Sequence, residues 1–204
     1  MIGIVDYGMG NIKAFSNIYK NLKFPHKVVR GAGDFDDVTK VILPGVGAFD
    51  YAMEKLEKSG MKEFLEALVQ VNSLPVLGIC VGMQVLANTS DEGSLAGLGW
   101  IDATVNKFDA VKLGKSYPLP HMGWNSVRQL RDNPLFRNIE VNSRFYFLHS
   151  YYFNPLNKSD ALGVAKYGGE FTCAVNFENI FGVQFHPEKS HQAGIQLLRN
   201  FGEL

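Results

Sequence analysis

The sequence predicts an α/β fold: a single domain, 1–204, built on an open mixed (mostly parallel) sheet flanked by helices. Three observations predict it. In the first half, short apolar runs alternate with stretches of helical periodicity, the pattern of parallel strands joined by crossover helices. In the second half, strand-like runs follow one another across short turns, which predicts strands added in mixed orientation. A last amphipathic stretch closes the chain. At 204 residues, one domain can bury a sizeable core without staples.

The elements follow in order. Ile2 to Asp6 reads as the first strand, and Asn11 to Leu22 has helical spacing through Ile12, Phe15, Ile18, Tyr19 and Leu22. His26 to Arg30 and Val41 to Pro44 are the next strands, followed by helices over Phe49 to Glu57 and Met61 to Val71. Pro75 to Ile79 is a short buried strand, and Met83 to Ala87 the first turns of a helix. Then come strands over Thr104 to Phe108, Arg144 to Leu148, Tyr151 to Phe153, Ala161 to Tyr167, Thr172 to Asn176 and Ile180 to Phe185. Gln192 to Phe201 is the closing helix.

Composition excludes several classes of function. Hydrophobic residues at 46% and charged residues at 20% are ordinary for a soluble globular enzyme. Lys plus Arg and Asp plus Glu balance at 20 each, so charge points to neither nucleic acid nor an anionic membrane. The two cysteines, Cys80 and Cys173, argue against a disulfide framework and for a reducing cytoplasm. Cys173, inside a Phe-Thr-Cys-Ala-Val run, reads as core. The N-terminal strand lacks the charged start of a signal peptide, and no apolar run approaches the roughly 20 residues of a membrane span. A cytoplasmic protein is expected. The histidines and cysteines have no metal-type spacing, so no metal is expected, nor any other cofactor. Gly8-x-Gly10 begins like a dinucleotide fingerprint, but Lys13 stands where its third glycine belongs.

Cys80 carries the strongest chemical signal. It lies in Gly78-Ile79-Cys80-Val81-Gly82, after an apolar strand and before a helix, the arrangement of a nucleophile elbow with sulfur in place of serine oxygen. Flanking glycines relieve the crowding of a strained turn, and a helix N-terminus aimed at the sulfur would favour the thiolate. A thiolate needs a proton partner, and His186-Pro187-Glu188 supplies one. In an extended stretch His186 and Glu188 project to the same side, so the carboxylate can orient the imidazole as the acid of a triad does.

These segments resemble a known family. Pro44-Gly45-Val46-Gly47-Ala48-Phe49, the cysteine elbow through Gln84, Pro120-His121-Met122-Gly123-Trp124-Asn125 and His186-Pro187-Glu188-Lys189-Ser190 occur in the order and spacing of class I (triad-type) glutamine amidotransferases. Within that class the chain is similar to the glutaminase subunits of imidazole glycerol phosphate synthases, also through Asp6-Tyr7-Gly8-Met9-Gly10-Asn11 and the strand from Phe145 to Tyr151. The resemblance runs from end to end.

It implies that Cys80 attacks the side-chain amide of glutamine to form a glutamyl thioester and release ammonia, with His186 as acid and base and Glu188 orienting it. The oxyanion hole would draw on the N–H of Val81 and on Val46 and Gly47. By the same resemblance, Gln84 and the His149-Ser150-Tyr151 backbone bind glutamine, and Glu92 takes its ammonium. Gln84 follows Cys80 by one helical turn, on the same face. Free ammonia is mostly protonated in neutral water, so it must pass by a dry route to an acceptor enzyme. The implied partner is a (β/α)₈-barrel cyclase, which would bind the nucleotide-like substrate, with Asn11, His121, Trp124 and Lys189 at the contact. Two departures, Val81 after the nucleophile and Trp100 in Gly97-Leu98-Gly99-Trp100, leave other acceptors open. One alternative is the same chemistry feeding a surface-polysaccharide sugar amidotransferase. A non-catalytic regulatory subunit and a cysteine hydrolase or peptidase on the same scaffold are others.

Overall fold

The run Ile2-Gly3-Ile4-Val5 has no polar face, and it forms a strand, β1 (Ile2–Val5), buried along its whole length. A strand buried on both sides belongs inside a sheet with helices on either face. In the computed structural model, which describes Met1–Leu204, β1 lies between two parallel neighbours, β2 (His26–Val29) and β3 (Lys40–Gly45). β3 in turn pairs in parallel with β4 (Val76–Cys80). The crossovers are α1 (Ile12–Asn21), which buries Phe15 and Tyr19, and α2 (Phe49–Lys58), followed by α3 (Lys62–Glu66). The helix predicted over Met61 to Val71 is not continuous. After Glu66 it widens into a π turn, Ala67–Val71, closed by the bond from Asn72 N–H to the Ala67 carbonyl at 3.2 Å.

A second correction falls beside Cys80. The helix expected at Met83 to Ala87 starts earlier and is a single turn, α4 (Val81–Gln84). The next carbonyls are claimed from outside: Val85, Leu86 and Ala87 accept from the N–H groups of Leu98, Ile101 and Gly99. With its carbonyls taken by the 97–101 loop, the segment cannot continue the helical ladder.

The second half is nearly all strand: β5 (Thr89–Ser90), β6 (Ala103–Lys107), β7 (His121–Ser126), β8 (Arg128–Gln129), β9 (Arg144–His149), β10 (Tyr151–Pro155), β11 (Ala161–Lys166), β12 (Glu170–Phe177) and β13 (Ile180–Val183). A short helix α5 (Ala110–Leu113) interrupts it, and α6 (His191–Glu203) closes the chain. The main sheet has the order β2-β1-β3-β4-β13-β12-β10-β6-β5, with β11 on β12 and β8 on β11. It is parallel from β2 through β13, and antiparallel from β13 across to β6. β9 leaves this sheet. It pairs instead with β7, a strand the sequence pattern did not mark, in a separate antiparallel ribbon that places His121 opposite His149.

One cluster of 55 buried residues runs through the molecule, so the chain has a single core. Cys173 is fully buried in it, and burial pushes its thiol far above the ordinary range. No helix is long and apolar enough to cross a membrane.

Candidate active site

β4 ends on Cys80, whose backbone sits at φ 56°, ψ −114°, a conformation an L-residue with a side chain adopts only under constraint. The constraint is visible. A Cβ on Gly82 would collide with the Leu43 carbonyl, and one on Gly78 with the carbonyl of Gly82, so the elbow lies flush on the end of β3. The sulfur is thereby held at the C-terminal edge of the parallel strands, where open α/β sheets place ligands. With α4 only one turn long, the helix dipole expected to favour the thiolate is small.

The charge partner is His186. It precedes a tight 3₁₀ turn, Pro187–Lys189, rather than lying in the extended stretch expected. That turn folds the Glu188 side chain back onto the ring, with Oε1 2.9 Å from Nδ1. Backbone and hydroxyl bonds fix the turn: His186 N–H donates to the Tyr146 carbonyl, and Ser190 Oγ donates to the His186 carbonyl at 2.6 Å. Burial works to lower the imidazole's proton affinity. Hydrogen bonds to Cys80 and Glu188, and the negative charge of both, outweigh it and raise the pKa to about 10. The second Glu188 oxygen, Oε2, is buried without a partner.

Around this pair lies a cleft of about 350 Å³. Its walls bring together Cys80 and His186, the predicted oxyanion segment (Val46, Gly47 and Val81) and the predicted glutamine pocket (Gln84, Glu92, His149, Ser150 and Tyr151). Lys189 stands at the same cleft. Glu188 lies behind His186, as an orienting group should. Gly47 has φ +94°, a conformation that suits glycine and lets the oxyanion segment turn a peptide N–H. No group of three or more His, Cys, Asp or Glu side chains is arranged to hold a metal ion.

Two of the pocket residues have structural duties as well. Glu92 Oε2 accepts the Phe49 N–H at 2.9 Å, supplying the N-terminal cap that α2 otherwise lacks. Asp50 returns the clasp by accepting from the N–H groups of Ser94 and Leu95, and these bonds hold its carboxyl below the usual range. The Val46–Gly47 segment and the Glu92 loop are thus tied through the first turn of α2. Gln84 spends its amide on the Tyr151 carbonyl at 3.3 Å and on Gln184 Oε1 at 3.0 Å, which leaves only its oxygen for a ligand.

Sequence reading missed three residues. Gln184 is fully buried, with Nε2 3.8 Å from the Cys80 sulfur. Tyr7 hydrogen-bonds the Pro44 carbonyl at 2.8 Å and so pins the strand end that leads into the oxyanion segment. Asp50 is the third. Tyr7 lies inside the Asp6 to Asn11 motif and Gln184 inside the strand expected over Ile180 to Phe185; nothing local marked Asp50.

Of the predicted contact residues, Trp124 and Lys189 are exposed. Trp124 stacks on the His191 ring at 5.0 Å, and the Lys189 ammonium lies 5.6 Å over the Tyr146 ring. Asn11 is exposed and caps α1. His121 requires correction. It is buried, stacked between Tyr167 and Phe147, and hydrogen-bonded through Nδ1 to His149 Nε2 at 2.9 Å. Alternation along β7 turns it inward, while Met122 on the opposite face is 65% exposed.

The model of the family "Glutamine amidotransferase class-I" matches residues 4–203. Among curated proteins, the "Imidazole glycerol phosphate synthase subunit HisH" of Leptospira interrogans is 52% identical over 204 residues, covering all of both chains. The protein of the same name from Bdellovibrio bacteriovorus is 55% identical over 204 residues, again covering all of both. A crystal structure described as a glutamine amidotransferase superposes with a TM-score of 0.75 at 19% identity, covering 99% of this chain and 97% of that one; at such identity it speaks to the fold alone. The chain belongs to the class-I glutamine amidotransferase family.

Proposed function

We propose that this chain is the glutaminase subunit of an imidazole glycerol phosphate synthase, acting in histidine biosynthesis. It hydrolyses glutamine to glutamate and ammonia and passes the ammonia to a cyclase partner that makes imidazole glycerol phosphate and AICAR. The observation that carries the chemistry is the constrained Cys80 beside an imidazole that Glu188 holds at 2.9 Å. The acceptor follows from the full-length relatives, which are named for this synthase. Nothing in the site or among those relatives favours a polysaccharide sugar as the acceptor. An intact triad in a cleft also speaks against a purely regulatory subunit.

The Cys80 thiolate attacks the glutamine Cδ, and the electron pair moves to oxygen. Val81 N–H and the Val46–Gly47 peptide receive that oxyanion. The protonated His186 gives its proton to the leaving nitrogen, and ammonia departs as the C–N bond breaks. The neutral imidazole then takes a proton from water, whose oxygen attacks the thioester; sulfur leaves and glutamate is formed. Glu92, through its free oxygen, receives the glutamine ammonium, while Gln84 Oε1 and the His149-Ser150-Tyr151 backbone hold the rest of the amino-acid end.

The ammonia leaves toward the partner, a (β/α)₈ barrel docked on the face that carries Trp124, Lys189 and Asn11. Met122 and Leu148 are exposed on the same β7–β9 ribbon, and Val46 is exposed at the cleft edge. A pair working this way in the cytoplasm loses least ammonia if hydrolysis waits for the loaded partner. The test is steady-state glutamate release with and without a cyclase partner and its acceptor. The isolated chain should be slow, and the loaded complex should gain about 10²–10³ in kcat if one oxyanion donor is aligned only on docking. Full activity alone would sink the gating. No glutamate release under any condition would sink the glutaminase reading.

A further inference from the structure

We propose that Gln184 is a further catalytic residue, whose side-chain amide donates to the Cys80 sulfur. The inference rests on Cys80 being the nucleophile. Gln184 is fully buried just beyond the end of β13, two positions before His186, with Nε2 3.8 Å from Sγ.

The direction of that bond is set by a carbonyl. The Tyr151 main-chain oxygen can only accept, so the Gln84 atom 3.3 Å from it is Nε2. The same nitrogen lies 3.0 Å from the Gln184 amide, which must therefore present its oxygen to Gln84. Only Nε2 of Gln184 remains, and it faces sulfur. The relay runs from Cys80 through Gln184 and Gln84 to the main chain of Tyr151, in the wall of the glutamine pocket. An amide removed from water is costly unless its ends are paired. Here the oxygen pairs with Gln84, and the sulfur is the acceptor facing the nitrogen.

A donor aimed at sulfur counts when the sulfur is charged. It stabilises the thiolate before attack, and again as the C–S bond breaks in the second half-reaction. It does little for the neutral thioester between them. His186 cannot serve this purpose throughout, because it gives its proton to the leaving nitrogen. Gln184 holds its proton permanently and is the fixed half of the sulfur's environment.

The test uses the full chain, iodoacetamide as the probe of Cys80, mass spectrometry to count the label, and the variants Gln184→Leu and Gln184→Glu. Leucine removes the donor at similar volume. Glutamate still accepts from Gln84 but sets a carboxylate oxygen against the sulfur. At neutral pH, Cys80 labelling should slow about tenfold in Gln184→Leu, the effect of losing a hydrogen bond to a charged group, and further in Gln184→Glu. Both should recover toward the unsubstituted rate in alkali, where sulfur ionises without the donor. In glutamate release, kcat should fall with KM little changed. Labelling unchanged at neutral pH, or slowed by one factor at every pH as a packing lesion would slow it, overturns the proposal. Should Gln184→Leu fail to fold, Gln184→Glu decides by the same measurements. An unsubstituted chain that takes no label on Cys80 would instead overturn the nucleophile assignment itself.

Discussion

Two buried histidine pairings meet at the cleft, His186 with Glu188 and His149 with His121, and their proton affinities are shifted in opposite directions. His186 and His149 are exposed by only 3% and 6%, so burial alone cannot separate them. The partners do. His186 faces two groups that accept, the Cys80 sulfur and the Glu188 carboxylate, and its pKa rises to about 10. His149 has no acid beside it. Burial lowers its pKa to about 3, against a partial offset from the Tyr151 carbonyl. Its neighbour His121 falls to about 4, again through burial.

The second pair is locked in one tautomeric direction. Asn125 Nδ2 donates to the Lys166 carbonyl and so presents its other N–H to His121 Nε2. His121 then donates from Nδ1 to His149 Nε2, and His149 donates from Nδ1 to the Tyr151 carbonyl at 2.7 Å. A chain with one proton per link has no place for another. The His121 and His149 rings thus keep one proton each, while His186 lies between two groups that favour its second proton.

The largest effect should come from removing the sulfur. In Cys80→Ala, glutamate release should fall by about 10⁴–10⁶, because triad members act as a unit. Ammonia-dependent synthesis by the partner should stay near normal. In the same variant His186 keeps only Glu188, so its proton affinity, followed by NMR, should drop from the folded value while staying above that of His149. Residual glutamate release would mean the nucleophile lies elsewhere.

Glu188→Gln comes next. The amide can still hydrogen-bond Nδ1 but carries no charge and can favour the wrong tautomer, so kcat should fall about 10²–10⁴-fold with KM little affected. An NMR titration should find His186 easier to deprotonate. If Glu188→Gln kept full kcat, the carboxylate would be a packing group and the contrast between the two pairs would lose its cause.

The inert pair makes a pH prediction with a definite sign. From the ordinary value of 6.5 down to about 4 and about 3, the unfolded chain binds protons at positions 121 and 149 that the folded chain refuses. Stability contributed by the pair is complete above pH 6.5 and is lost as pH falls through that window. Thermal unfolding across the window should therefore steepen on the acid side, and His149→Gln, which has no charge to gain, should flatten it. An unchanged acid limb in that variant would remove His149 as its source.

That Cys80, His186 and Glu188 come together was legible in the sequence and the pairing of His121 with His149 was not, for a physical reason. Cys80, His186 and Glu188 sit in local frames, a glycine-flanked strand end and a three-residue turn, whose chemistry is written within a few positions. The parallel strands were legible in the same way, as apolar runs between amphipathic helices. His121 pairs with His149 only because β7 and β9 leave the main sheet and zip together across 28 positions, and Gln184 reaches Cys80 across 104. Periodicity carries no information about such pairings. The single-turn α4 escaped for a related reason, since it is a later loop that takes up the carbonyls its continuation would need.

The smallest effect, and the one that separates a buried role from a docking role, belongs to His121→Phe. Phenylalanine fills the ring's place between Tyr167 and Phe147 but donates nothing, so His149 Nε2 loses its donor inside the core. An unpaired buried acceptor costs about 1–3 kcal/mol, and in a chain of this size about 1 kcal/mol moves Tm by about 2–4 °C. The melting temperature should therefore drop by several degrees, while affinity for the partner changes far less than in Lys189→Ala or Trp124→Ala. The reverse pattern, an unchanged Tm with a weakened complex, would put His121 back on the docking face where the family resemblance had placed it. It would also mean that the hydrogen bond to His149 does not hold that pair neutral.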